Sequence, residues 1–455
     1  AYLQLLGSQR SAGFVAPLTA LTEQHPQSGL WLSGISLREG GRQIRLQGRS
    51  QDQELLPQYL QRLGQSAVFS GREFARFDVT VKGASAADDY RNEASTYGYI
   101  VEIDPYNSAT LATKRTALGR FRHEGCCPGL PVAGKPLVWY MGDDSNNEYL
   151  YKFVSTAVWD AADASPADRL ATGAKYMDQG KLYVARFNAD GTGVWLLLDV
   201  ATATSAGSTL GALYGDLPGI ILNTRGAGDA VGATPMDRPE WTTVNPLNGD
   251  VYLTLTNNSA RTPDKVDAAN PRGPNRHGHI IRWHDSDDQL SFTWDIFVFG
   301  ANAAGTADIN RSGLTELNQF ASPDGMSFDS RGVLWFETDN GETTLTDYTN
   351  DQLLAVIPTD LVDASGKQVP VNAQNQVDLR RFFVGPNECE VTGIAFTPDN
   401  KTLFVNIQHP GEPANELTDP KNPRAVSNWP EKKANGRPRS ATVVVRKADG
   451  GVIGT

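Results

Sequence analysis

Apolar residues recur at helical spacing from Phe14 to Gln24, and the run stops at His25-Pro26, which predicts a first helix. Leu30 to Leu37 then alternates apolar and polar, as a half-buried strand does. Gly40-Gly41 reads as a turn, and Gln43 to Gly48 returns as the hairpin partner. Leu55 to Leu63 carries a second amphipathic stripe, and Phe74 to Val81 a closing strand. Helix, strand, strand, helix, strand predicts a small α+β domain of the ferredoxin-like type over residues 1–82. Small polar residues from Gly83 to Asp89 mark a linker, taken as 83–95.

From residue 96 to 455 the texture changes to short strands punctuated by Gly, Pro, Asn and Asp, and a degenerate repeat emerges. Val244–Asn257, Phe328–Asp339 and Phe396–Asn406 each read as strand, Asx/Gly turn, and a second strand ending in a polar residue. Tyr176–Phe187 is a weaker copy. Hairpins returning at such intervals predict an all-β region, a β-propeller with long insertions. A plain β-sandwich is the simpler alternative, but it leaves the repeat unexplained. Asn257, Asp339 and Asn406 are then expected at the mouth of a central channel. Trp139, Trp195, Trp241, Trp283, Trp294 and Trp335 sit in strand contexts and are expected in the core between blades.

A formal net charge of −11 over 455 residues argues against a nucleic-acid partner, because no basic stripe exists to displace phosphate counterions. The same charge suits a carboxylate-rich cation site. Three cysteines, with Cys126 and Cys127 adjacent, give neither a disulfide framework nor tetrahedral zinc spacing. No run of 18 apolar residues predicts a membrane span. The chain starts at Ala1 without a basic leader, so a signal peptide is expected to be absent or already removed.

Two segments concentrate chemistry: Gly119–Gly125, holding Arg120, Arg122 and Glu124, and Met236–Trp241, holding Arg238 and Glu240. Each sets a carboxylate beside arginines in a stretch bounded by Gly or Pro, where neither a helix stripe nor a buried strand favours charge. Such a pair could hold a cation through the acid and its anion through the guanidinium. It could equally be two exposed ion pairs. His277, His279 and His284 run into an alternating strand without a completing ligand, and are expected to be structural. Gly226-Ala227-Gly228-Asp229 lacks the Lys and following helix of a phosphate loop.

A series of phrases in fixed order narrows the choice. They include YGYIVEIDP (97–105), RTALGRFRHEG (115–125), YMGDD (140–144), VGATPMDRPEW (231–241), TNNSAR (256–261), CEVTGIAFTPD (389–399) and NIQHPGE (406–412). Through them the chain from about Tyr97 to Thr455 resembles the PhoX-type alkaline phosphatases. The resemblance implies a periplasmic or extracellular phosphomonoesterase on a six-bladed propeller, with a site of Fe³⁺ and Ca²⁺ held mainly by carboxylates. It implies Glu124 and Glu240 as metal ligands, Arg238 as the group that stabilises charge on the transferring phosphoryl, and Asp324 and Glu390 as further cation ligands. Asp143, Asp144, Asp339 and His409 are additional candidates.

Two departures accompany the resemblance. The family's "NHEY" acid segment and its "C-x-G-G-x-T-P-W" segment, which supplies a Cys ligand, do not occur here. The cluster is therefore expected to be incomplete and turnover impaired in this chain alone. Residues 1–82 instead resemble a PilN-type (MshI-like) pilus-assembly domain, which would imply a pilus-assembly protein as partner. The alternatives are a non-catalytic propeller module fused to that domain, and a propeller lactonase with one Ca²⁺, to which the HEG and RPEW pair gives no support.

Overall fold

The computed structural model describes residues 8–25, 30–38, 43–50, 59–60, 62–63, 65–66, 68–69, 94–340, 349–412, 426–433 and 437–454. The chain divides into two units, Ala1–Ala94 and Ser95–Thr455. In the first, a helix over Ser8–Glu23 precedes an antiparallel hairpin of β1 (Leu30–Arg38) and β2 (Gln43–Ser50). Leu21, Leu30, Tyr59 and Leu63 form its apolar centre, and the Tyr59 hydroxyl donates to the Leu21 carbonyl at 2.8 Å. Residues 59–60 and 62–63 are helical, inside the predicted 55–63 stripe. The expected Gly40-Gly41 turn, the 74–81 strand and the 83–89 linker lie outside the described residues.

The second unit is mainly antiparallel β. It opens with a hairpin of β3 (Ile100–Glu102) and β4 (Thr113–Arg115), then the two-residue β5 (Cys127–Pro128). Four meanders follow. The first holds β6 (Pro136–Gly142), β8 (Leu150–Val158), β9 (Gly180–Phe187) and β10 (Thr192–Leu197), with β7 (Asn146–Glu148) between its first two strands. The short β11 (Met236–Asp237) pairs with β7. The second meander holds β12 (Pro239–Val244), β13 (Val251–Leu255), β14 (His279–Asp285) and β15 (Ser291–Phe299). The third holds β16 (Pro323–Phe328), β17 (Leu334–Thr338), β18 (Gln352–Val356) and β19 (Arg380–Val384). The fourth holds β20 (Glu390–Phe396), β21 (Leu403–Gln408) and β22 (Ala441–Val445). The first two meanders fuse where β10 pairs with β15, which gives a nine-stranded sheet ordered β12-β13-β14-β15-β10-β9-β8-β6-β5.

The first three meanders are covered on both faces, so adjacent residues of one strand enter different cores. Leu253, Ile281 and Trp283 pack with Tyr183 and Trp195 of the first meander. Their neighbours Tyr252 and Ile280 pack with Phe336 and Leu354 of the third. Trp335 and Leu353 turn the other way, onto Val391, Leu403 and Val405 of the fourth. The first strands consequently lie side by side: β12 contacts β6 and β16, and β16 contacts β20.

The turns within the repeats use short polar side chains, as their sequences ask. Asn245 Oδ1 accepts from the Leu247 N–H at 2.9 Å, Asp329 Oδ1 from the Arg331 N–H at 2.9 Å, and Asp399 Oδ1 from the Lys401 N–H at 3.1 Å.

Candidate metal centre

Two first strands deliver an acid at a bulge. Pro239 pairs with Leu255 and Thr242 with Leu253, so Glu240 and Trp241 stand opposite the single residue Thr254. Pro323 pairs with Thr338 and Met326 with Phe336, so Asp324 and Gly325 stand opposite Glu337. In β20 the extra residue falls later, between Thr392 and Ala395. Such a bulge re-aims a side chain off the regular pleat. Two residues before Glu240, Asp324 and Glu390, the backbone adopts a left-handed conformation in a non-glycine residue: Arg238 (φ 55), Ser322 (φ 53) and Glu388 (φ 51). A strained residue persists only where its surroundings over-determine it, and such residues collect at functional sites.

The surroundings of Arg238 do so. Asp237, wholly buried, accepts from Arg261 Nε at 2.5 Å and from Asn275 Nδ2 at 2.9 Å, while its N–H donates to Asn270 Oδ1 at 3.1 Å. Arg238's own carbonyl accepts from the Thr256 N–H at 3.2 Å. On the other side, β6 approaches so closely that a Cβ on Gly142 would lie 2.2 Å from the Glu240 carbonyl oxygen.

Glu124, Asp144 and Glu240 meet here, each offering a carboxylate oxygen within 4.8 Å of the others. Glu124 is on the exposed rim, Asp144 partly buried, and Glu240 buried. Arg238 binds two of them, with Nε 2.8 Å from Asp144 Oδ1 and Nη2 2.7 Å from Glu240 Oε1. Of its five N–H donors, three are left without a protein partner among the described residues. Thr256 Oγ1 donates to Glu240 Oε1 at 2.7 Å, and the Trp241 side chain hydrogen-bonds Glu124.

Burial raises the Glu240 carboxyl well above its usual range against the pull of Arg238, with Asp144 and Glu124 adding to the rise. Burial, then Asp144, raises Glu124 in the same direction. For Arg238 burial opposes the charge, but Glu240, Asp144 and Asp339 outweigh it and hold the guanidinium protonated. Acids pushed up by one another mark a place that lacks positive charge.

The acidic region extends along β16, β17 and β20. Asp324 is buried, and its Oδ1 has no hydrogen-bond partner among the described residues. Burial, then Glu240, Asp339, Glu390 and Glu124, raises it well above the normal range. Glu390 accepts from Gln408 Nε2 at 2.5 Å and lies 3.2 Å from His409 Nε2. His409, itself at φ 33, sits 2.8 Å from Glu412 through Nδ1. Asp339 is raised by burial and lowered by Arg238 and His409. The sequence reading passed over Glu337. It is wholly buried, neither carboxylate oxygen has a partner among the described residues, and burial followed by Glu390 lifts its pKa to about 8. Gly325 makes room for it, since a Cβ there would fall 2.2 Å from Glu337 Oε2.

Other expected residues lie elsewhere. Asp143 points away from the trio and is clamped by Arg225, with Nε at 2.7 Å from Oδ2 and Nη2 on Oδ1. Its neighbour Asp144 occupies the cluster instead. Asn406 turns to the Gly393 carbonyl and Thr442, while Gln408, two residues on, reaches Glu390. Asn257 Nδ2 lies 3.5 Å from Ser322 Oγ. His279 is buried, with Nε2 2.8 Å from the Ala269 carbonyl and Nδ1 3.1 Å from Asn275, and His284 pairs with Asp250 at 2.8 Å. Cys126 and Cys127 are free thiols, pushed up to about 12 and about 11 by burial.

These donors suit a hard cation: they are carboxylate oxygens, they exceed the nearby positive charge, and some buried ones have no other partner. A family model for alkaline phosphatase PhoX matches residues 42–411, most of the chain. The chain belongs to the PhoX alkaline phosphatase family. Its match begins within the stretch that resembles a pilus domain, and the comparisons give that likeness no support.

The solved structure of Pseudomonas fluorescens PhoX in complex with vanadate, a transition state analogue, is 38% identical, with a TM-score of 0.66 over 81% of this chain and 60% of that one. This chain therefore spans 60% of that relative's length. A Trichoderma reesei carbohydrate-active enzyme of family AA12 overlays with 11% identity and a TM-score of 0.22, over 68% of this chain and 84% of that one. PorZ of Porphyromonas gingivalis does so with 11% identity and a TM-score of 0.25, over 65% and 34%. Those two overlays are too loose to bear on fold or function. No curated protein matches the chain. Among the described residues no helix is long and apolar enough to cross a membrane.

Proposed function

We propose that this chain is a metal-dependent phosphomonoesterase that releases inorganic phosphate from phosphate monoesters, acting in the periplasm or outside the cell. The observation that carries the reading is Arg238: two of its donors fix Asp144 and Glu240, and three remain for an anion beside an acidic trio. Family membership and the vanadate-bound relative point the same way. Glu124, Asp144 and Glu240 would hold one cation, and Asp324 and Glu390 further cations, with Ca²⁺ and Fe³⁺ as the metals. Bound there, such ions supply Lewis-acid charge to a phosphoryl group that offers little else to polarise.

The chain's own residues do the rest. Arg238, held at φ 55 and clamped on two carboxylates, is aimed before substrate arrives, so its charge requires no reorganisation as negative charge spreads over the phosphoryl oxygens. Thr256, which donates to Glu240 Oε1, fixes that carboxylate's rotamer and leaves its other oxygen free to turn to a cation. Glu124 on the rim leaves the approach open to solvent and substrate.

We read the four meanders, with first strands in one row, as consecutive blades of a six-bladed type of propeller. In this reading residues 96–455 form the phosphatase body, and 1–82 a separate α+β unit of ferredoxin-like order.

Metal analysis with p-nitrophenyl phosphate turnover tests the activity. Bound metal and turnover are expected. Turnover should be slow in this chain, and at least about 10²-fold slower in Glu240→Ala. Metal-free protein without turnover, or turnover indifferent to Glu240→Ala, overturns the reading.

A further inference from the structure

The turn that carries Asp144 gathers three guanidiniums. The Ser145 N–H donates to the Asp143 carbonyl at 2.7 Å, which closes a three-residue turn centred on Asp144. Its three side chains fan apart. Asp143 takes Arg225, from the helix Thr224–Val231, and Asp144 takes Arg238. Ser145 Oγ lies 3.1 Å from Arg225 Nη2 and 3.4 Å from Arg122 Nη1. Arg122 is anchored beside them, because its carbonyl accepts the Asp144 N–H at 3.0 Å.

The three guanidiniums differ in how their charge is met. Arg238 is spent on Asp144 and Glu240 and faces the trio. Arg225 is offset by Asp143 and, at 3.5 Å, by Glu148, yet its side chain is 34% exposed. Arg122 is exposed, and among the described residues no carboxylate lies within ion-pair distance of it. Its charge reaches Glu148 only at longer range, and a rim cation without a direct carboxylate partner, in a chain of net charge −11, has little structural use.

We propose that Arg122, with Ser145 and Arg225, forms a subsite for a second anionic group on the substrate's leaving-group side. This rests on the phosphomonoesterase reading. It favours monoesters whose alcohol carries a carboxylate or another phosphate close to the ester. Arg122 reaches Ser145, the residue after Asp144 on the turn, whereas Arg238 binds Asp144 itself, so a group held by Arg122 has its own place beside the anion at Arg238. The hydroxyl of Ser145 orients both guanidiniums, which lets them grip a planar carboxylate or a phosphate from two sides.

Three non-hydrolysable probes on the Ca²⁺-loaded chain test this by calorimetry. Methylphosphonate carries one anionic centre, phosphonoacetate adds a carboxylate, and 2-aminoethylphosphonate adds a cation. Phosphonoacetate is expected to bind about three- to tenfold tighter than methylphosphonate, and 2-aminoethylphosphonate no tighter. Arg122→Gln, an exposed substitution, should bring the phosphonoacetate-to-methylphosphonate ratio to about one, and Ser145→Ala should lower it partway. A ratio near one in the wild type, or one that survives Arg122→Gln, sinks the subsite and leaves the phosphatase reading standing. Equal weakening of all three probes also sinks it, because Arg122 would then act only through the general field. If none of the probes binds the wild type, both proposals fall.

Discussion

Asp285 and Glu240 are both strand carboxylates drawn into the β body, and they are treated in opposite ways. Asp285 Oδ2 receives Lys152 Nζ at 2.5 Å and the Tyr140 hydroxyl at 2.7 Å, and Oδ1 receives Trp195 Nε1 at 2.9 Å. Lys152 completes its own shell with the Gln289 carbonyl at 2.8 Å and lies over the Trp195 ring. Every charge there has its opposite. Around Glu240 stand the acids Glu124, Asp144 and Asp324, with Asp339 and Glu390 beside Asp324, and among the described residues Asp324 and Glu337 keep oxygens with no partner. The first arrangement closes a junction between two meanders. The second leaves a debt of positive charge that only a ligand can meet. Charge balance, more than burial, separates scaffold from site.

The contrast can be attacked from its paired side first, where the effect is largest. Lys152→Met leaves Asp285 without its cation and should cost about 3–5 kcal/mol in urea unfolding, with metal content unchanged. Loss of metal in that variant would mean the two clusters are not independent. On the unpaired side, Arg238→Ala should lower p-nitrophenyl phosphate turnover of the metal-loaded protein about 10²–10³-fold. A variant as active as wild type would put the anion elsewhere.

The third test uses pH. Glu337's pKa is raised in the fold from 4.5 to about 8, so its contribution to stability is full below pH 4.5 and is lost as pH rises through 8. Glu337→Gln removes that dependence. In metal-free protein the variant should be more stable than wild type by roughly 2–3 kcal/mol at pH 8.5, half of what the full shift implies at about 1.4 kcal/mol per pK unit, and equal to it near pH 5. Parallel stability curves would show that Glu337 has a partner after all.

Much of the scaffold was legible in the chain, because turn chemistry is local. The three hairpins came from Asn, Asp and Gly at fixed offsets between apolar alternations, and those residues do cap the turns. Glu124 and Glu240 stood out for a related reason: charge beside Gly and Pro has no use in a strand. What failed was whatever depended on distant partners. Asp143 and Asp144 are indistinguishable in YMGDD. Only Arg225, 82 positions later and on a Gly-rich helix of poor intrinsic propensity, decides which one is consumed. Glu337 hid inside the apolar run LWFET, where one polar residue reads as the solvent side of a half-buried strand. The third sheet is covered on both faces, so no solvent side exists there. Asn406 was expected to close its strand at the channel mouth, but β21 runs on to Gln408, which pairs with Glu390.

The left-handed residues ahead of the three acids have a practical side as well. A side chain at such a backbone angle is tolerated at a cost that glycine does not incur. Arg238 must bear it, because its guanidinium is needed. Ser322 and Glu388 hold the same angle, and apart from one long contact from Asn257 to the Ser322 hydroxyl the visible bonds are those of their main chains: Ser322's carbonyl accepts from Asp339, and Glu388's from Gly411 and Glu412. Glycine at these two positions should preserve those bonds and raise thermal stability by up to about 1 kcal/mol each, with bound metal unchanged. The chain thus carries an unused margin for thermostabilisation next to its most sensitive chemistry.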